Sequence, residues 1–223
     1  MATATRATAT GPRADGETRI RAPGVSWDFY ERFVDGLPER SGVRTAYDGE
    51  DMEILVKGPL HEDFRALLGR FVEEVATEAG ATFLGLGETS WKRRDAGRGL
   101  EADQCDFFEL AKVAQARAAL GRRENDVAAY PDPDLAVEID ISPPLVDRPA
   151  IYAALGVPEV WRFDGATVRI ERLTPAGAYE PAPRSRWLPV AAADVLAWVT
   201  AEDAHDRGAW ARRLRAWAAG LAG

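Results

Sequence analysis

The chain has 223 residues, with 28 Lys and Arg against 36 Asp and Glu, a formal net charge of −8. That balance argues against a protein that coats nucleic acid non-specifically, because neutralising phosphates needs a basic surface; it still allows an enzyme that touches nucleic acid along one groove. One cysteine, Cys105, and two histidines, His61 and His205, exclude an internal disulfide framework and a cysteine or multi-histidine metal site, so any metal would be held mainly by oxygen.

No stretch approaches the roughly 18–20 apolar residues of a membrane span, and residues 1–24 lack the apolar run of a secretory signal. The chain is therefore expected to be cytoplasmic, without a membrane partner. Residues 1–24, rich in Thr, Ala and Gly, read as a disordered leader, and residues 25–223 as a single domain. Ser26 is an N-cap candidate for a helix with Trp27, Tyr30, Val34 and Leu37 on one face. Gly42 to Tyr47 and Met52 to Val56 are expected to form a hairpin about Asp48-Gly49. The strongest helix runs from Leu60 to Ala79, with Leu60, Phe64, Leu67, Leu68, Phe71, Val72 and Val75 at spacings of three and four. Strands are expected at Thr82 to Leu86, Glu88 to Arg93 and Asp103 to Leu110, with a polar loop through Gly97 and Gly99 between the last two. A short helix follows at Ala111 to Leu120. Leu135, Val137, Ile139 and Ile141 alternate with Ala136, Glu138 and Asp140, which makes a strand with two acids on one face. Asp147 is placed to cap a helix to Leu155, and a hairpin turns at Asp164-Gly165. Two helices, Ala191 to Val199 and Ala204 to Ala219, close the chain. The pattern is a mixed α/β sheet domain with one core.

Strand interiors are usually apolar, so a carboxylate in the middle of one is solvated, paired or metal-bound. Glu138 sits in the middle of Leu135-Ala136-Val137-Glu138-Ile139, and Asp103 begins an earlier strand. On pattern alone Glu138 and Asp140 fit a half-exposed sheet face as well as they fit a site.

Ala102-Asp103 on one strand and Glu138 on a later one, with a basic residue near, resemble the PD-(D/E)XK nuclease superfamily. More closely the chain resembles the Uma-two family of restriction-type endonucleases. The likeness includes Met52-Glu53-Ile54-Leu55, Pro59, His61-Glu62, Gly99 to Cys105, Pro133 to Ile139, Asp147-Arg148 and Tyr152. Its most specific run is Gly156-Val157-Pro158-Glu159-Val160-Trp161. The resemblance implies a restriction-endonuclease-like mixed β-sheet core flanked by helices, with C-terminal helices. It also implies a magnesium-dependent (or manganese-dependent) hydrolase of nucleic-acid phosphodiesters, with DNA favoured over RNA, in which Asp103 and Glu138 hold the metal. The chain departs from the pattern at three places, one of them Ala102 in place of the family's usual proline. Asp140 stands where the superfamily places a lysine, and Arg148, four residues before Tyr152, takes the position of a helical lysine in the family. Arginine keeps the charge but is a poor proton-transfer group.

Lys92 and His61 complete the catalytic set expected with Asp103, Glu138 and Arg148. Lys92 lies on a strand face with Glu88 and Ser90, and His61 lies at the rim of the long helix's apolar stripe. Each has an ordinary structural alternative. Glu53 is a weaker third acid, and Cys105 reads as a small buried residue. Trp187, Trp198, Trp210 and Trp217 suggest docking of the tail on the core or on a partner, and a homodimer is expected from them. Competing with a nuclease are an inactive nuclease fold kept as a binding module and a structural homodimer.

Overall fold

A computed structural model describes residues 8–9, 17–38 and 42–221. Strands β1 (Thr8–Ala9), β2 (Thr18–Ala22), β3 (Val43–Tyr47), β4 (Met52–Val56), β6 (Thr89–Arg93) and β7 (Arg98–Ala102) form one sheet, in the order β1-β2-β4-β3-β7-β6. Strands β5 (Leu84–Gly85), β8 (Gln104–Phe107), β9 (Leu135–Ile139), β10 (Glu159–Phe163), β11 (Val168–Leu173) and β12 (Tyr179–Pro181) form a second, in the order β12-β11-β10-β9-β8-β5. The helices are α1 (Trp27–Asp35), α2 (Pro59–Glu78), α3 (Leu110–Gly121), α4 (Arg148–Ala154), α5 (Ala192–Val199) and α6 (Arg207–Ala219). This is the mixed α/β architecture with C-terminal helices that a restriction-endonuclease-like fold requires, with its strands divided between two sheets.

Apolar alternation decides how the second sheet is covered. Leu135, Val137 and Ile139 of β9 join Leu67, Leu68, Phe71, Val72 and Val75 of α2 in one core, which α5 and α6 complete with Trp198, Trp210 and Leu214. Ala136 belongs to a different core with Cys105, Tyr152 and Val160, closed by Ala46, Trp91, Leu100 and Ala102 of the first sheet. Glu138 shares the Ala136 side of β9 by the period-two rule, so it is directed between the sheets. β9 and β10 are parallel, and α4 is the crossover between them. That connection sets Arg148 and Tyr152, one helical turn apart, over Glu138.

Two expectations change here. β7 runs through the stretch read as a loop, because Gly99 is there for a close approach: a Cβ at that position would lie 2.6 Å from the Tyr30 hydroxyl. The leader assignment of residues 1–24 falls largely outside the described residues, but its last part is ordered. β2 adds to the free edge of β4, from Thr18 opposite Val56 to Ala22 opposite Met52. The tail tryptophans dock on the chain's own core: Trp210 is fully buried, with its indole N–H donating to the Trp198 carbonyl at 2.9 Å.

Candidate active site

Asp103 is the single residue between β7 and β8, at the point where the chain passes from one sheet to the other. Its carboxylate is fully buried. Oδ1 faces His61 Nε2 at 2.6 Å, and Oδ2 accepts from the Ile139 amide at 2.9 Å. The same Oδ2 lies 2.6 Å from Nη1 of Arg44, which rises from β3. Nη2 of Arg44 is 3.3 Å from Glu138 Oε1 and also donates to the Glu101 carbonyl. One guanidinium therefore bridges the two acids whose sequence separation is 35 by their numbers. They meet between the sheets and not at a sheet edge, since β9 is flanked by β8 and β10.

Around this pair the charges continue to alternate. Tyr152 donates to Glu138 Oε1, and Arg148 Nη1 pairs with Glu138 Oε2. Arg148 Nη2 reaches Glu53 Oε1 at 2.9 Å, where Arg19 Nη1 also binds at 2.7 Å. Arg19 Nε donates to Ser142 Oγ at 2.7 Å, and Glu17 accepts from the Ser142 hydroxyl and amide. Glu17 Oε1 returns to His61 Nδ1 at 2.6 Å. Asp140 sits at the margin, 3.4 Å from Arg19 and 3.5 Å from Arg162.

The electrostatics follow from burial and from these partners. Burial alone would raise the Asp103 carboxyl, but the Arg44 guanidinium and His61 outweigh it and hold it well below the usual range. Burial would discharge His61, yet its hydrogen bonds to Asp103 and Glu17 raise it above the ordinary histidine value. Glu138 goes the other way. Its burial outweighs Arg148 and Arg44, with Asp103 and Asp140 adding repulsion, so its carboxyl is raised.

Of the expected set, Asp103, Glu138, His61 and Arg148 are brought together, and Glu53 joins them. Lys92 is not: its ammonium pairs with Asp35 of α1 at a partly exposed rim. Arg44, Glu17, Arg19 and Ser142 were missed. Arg44 and Arg19 carried the signal that picked out Glu138, a charged residue at an inward position of a strand.

All four carboxylate oxygens of the Asp103–Glu138 pair are engaged, two of them by the Arg44 cation, and no group of three or more His, Cys, Asp or Glu among the described residues is placed to hold a metal such as magnesium. As arranged, the site does not fit a divalent ion.

The crossover-flanked strand β9 thus directs Glu138 toward Asp103 at the junction of β7 and β8. A family model described as "putative restriction endonuclease", Uma2, matches residues 27–200, more than three quarters of the chain. The chain belongs to this family. No curated protein and no solved structure matches it significantly. Glu17 and strand β2, with Arg19, precede the matched residues, and α6 follows them.

Proposed function

We propose that the protein hydrolyses phosphodiester bonds of nucleic acid, with DNA as the substrate and Asp103 and Glu138 as the centre. The observation that supports this most is the meeting of these two acids on one cation, in a chain of a restriction-endonuclease family. Arg148 and Arg44 are suited to hold phosphate oxygens and the charge that develops on them. His61, kept protonated by two carboxylates, is suited to give a proton to the leaving oxygen and not to act as the base. In the described arrangement these groups are at most 1% exposed, so binding of substrate goes with an opening of the site. A cytoplasmic location accords with that substrate. Among the described residues no helix is long and apolar enough to cross a membrane. A homodimer loses its tryptophan rationale, because those side chains are used within the chain; sedimentation measures it directly.

A second reading is favoured by the arginine between the acids: a family member whose centre is neutralised and which binds without cleaving. Plasmid, single-stranded DNA and RNA incubated with Mg2+, Mn2+ or EDTA separate the two. Cleavage by the wild type that disappears in both Asp103→Asn and Glu138→Gln is expected. Absence of cleavage under every condition, or cleavage that survives both substitutions, overturns the hydrolase.

A further inference from the structure

We propose that Glu17 and strand β2 form an autoinhibitory strap: the Glu17 carboxylate occupies a phosphate-binding place made by His61 and Ser142, which a substrate phosphate takes when the strap lifts. The inference rests on the hydrolase reading for the owner of that phosphate. Glu17 is 1% exposed, and its oxygens meet donors from two distant parts of the chain. Oε1 faces His61 Nδ1 at 2.6 Å, while Oε2 accepts from the Ser142 amide at 3.1 Å and from the Ser142 hydroxyl. Arg19 Nη2, 3.9 Å from Oε2, belongs to the strap itself. An imidazolium, a backbone amide and a hydroxyl are groups by which proteins hold phosphate oxygens. The other nitrogen of His61 faces Asp103 at 2.6 Å, so this place adjoins the acid pair.

The strap is held so that it can leave. β2 is fastened along β4, and its outer edge carries only the two-residue β1 among the described residues. No side chain from residues 17–22 belongs to the two larger apolar cores, and only Ala22 packs against the small cluster of Tyr30, Tyr47 and Met52. Edge hydrogen bonds and charges hold it, which puts it at the low-stability end of the fold. Within the centre its departure strands no acid. Without Arg19, Glu53 keeps Arg148 at 2.9 Å and Asp140 keeps Arg162 at 3.5 Å. The groups that lose Glu17 are donors, His61 Nδ1 with the amide and hydroxyl of Ser142. A vacated place lined by donors, one of them charged, selects an anion. Phosphate then binds only the fraction of molecules whose strap is lifted, which weakens its apparent affinity by that fraction.

The test follows binding of inorganic phosphate to the full-length wild type and to Glu17→Ala, read from the concentration dependence of the melting temperature at constant ionic strength. A strap lifted in about 0.1–10% of wild-type molecules predicts apparent binding about tenfold to a thousandfold tighter in Glu17→Ala. Adding His61→Gln should abolish the gain, and adding Ser142→Ala should reduce it. Equal or weaker binding in Glu17→Ala overturns the proposal, as does a gain that persists in full with both additions. Acetate, the fragment that the substitution removes, is the control: stabilisation by acetate equal to that by phosphate means only a refilled hole and overturns it too. If Glu17→Ala is unfolded alone, recovery of its circular dichroism by phosphate and not by acetate is the expected form of the same result, and recovery by neither counts against it. Amide exchange reads the strap itself. Thr18 to Ala22 should exchange faster in Glu17→Ala than in the wild type, and unchanged exchange refutes the strap. Affinity for a DNA oligonucleotide should rise together with that for phosphate. A phosphate gain without a DNA gain keeps the anion site and removes nucleic acid as its owner; cleavage by the wild type without a phosphate gain keeps the hydrolase and removes the strap.

Discussion

Asp106 on β8 is an acid buried without a cation among the described residues. Both of its oxygens accept from the Gln104 amide at 3.1 Å. Burial, with Glu73 nearby, pushes its carboxyl up to about 7. The folded state therefore keeps a proton that the unfolded chain releases near pH 4, so stability is lost as pH rises from about 4 to about 7. Asp106→Asn should remove that loss, gaining on the order of a few kcal/mol at pH 8 and little from this source at pH 4, read from denaturant melts at both pH values. His61 adds a loss of the same sign. Its raised folded value stabilises fully below about pH 6.5 and fades as pH rises through that higher value. Asp103, Glu17 and Glu53 are held low and withdraw their contribution only in acid. Wild-type stability should thus be greatest on the acid side of neutrality, and a melting profile that climbs from pH 6 to pH 9 would contradict this. Arg148 is buried between Glu53 and Glu138, so Arg148→Ala takes one cation from each of two buried carboxylates and should cost about 3–5 kcal/mol. Arg148→Lys keeps the charge and should retain most of the stability, and equal melting of the two variants would refute the pairing as its cause.

At the level of elements, periodicity located the long helix, the β3–β4 hairpin and the acidic strand, since each carries its apolar pattern within itself. β7 and β2 were hidden for physical reasons. Gly97 and Gly99 give β7 the composition of a loop, yet Gly99 is a contact residue that receives the Tyr30 ring. Gly99→Ala should therefore destabilise as an overpacking change, by about 1–3 kcal/mol, and a melting temperature equal to wild type would show that Tyr30 yields freely. β2 turns Arg19 inward, a residue that reads as solvent-facing until its partners are known. Half of the centre was legible for the complementary reason. Glu138 is conspicuous inside an apolar strand, and Asp103 stood out through the family pattern. Arg44 and Glu17 gained meaning only from chain segments far away in sequence.

Over the whole molecule, α6 closes the larger core although it lies beyond the family match. Trp210 and Leu214 are fully buried against it, and Arg207 and Arg215 reach Asp63 and Glu74 at two points along α2. Trp210→Ala should cost about 3–5 kcal/mol, and a loss below 1 kcal/mol in denaturant melts would mean that the helix is only appended. The strap β2 has a consequence in time. Glu17 contacts Ser142, 125 positions later, and Arg19 contacts Asp140, 121 positions later. A chain made from its N-terminus exposes the strap long before those partners exist, at about 5–20 residues per second. β2 can lie on β4 early, but its inward charges find their partners only after β9 has emerged. The charged centre therefore assembles only after Arg148 and Tyr152 of α4 have emerged, about two thirds of the way along the chain, and a shorter nascent chain carries none of its chemistry.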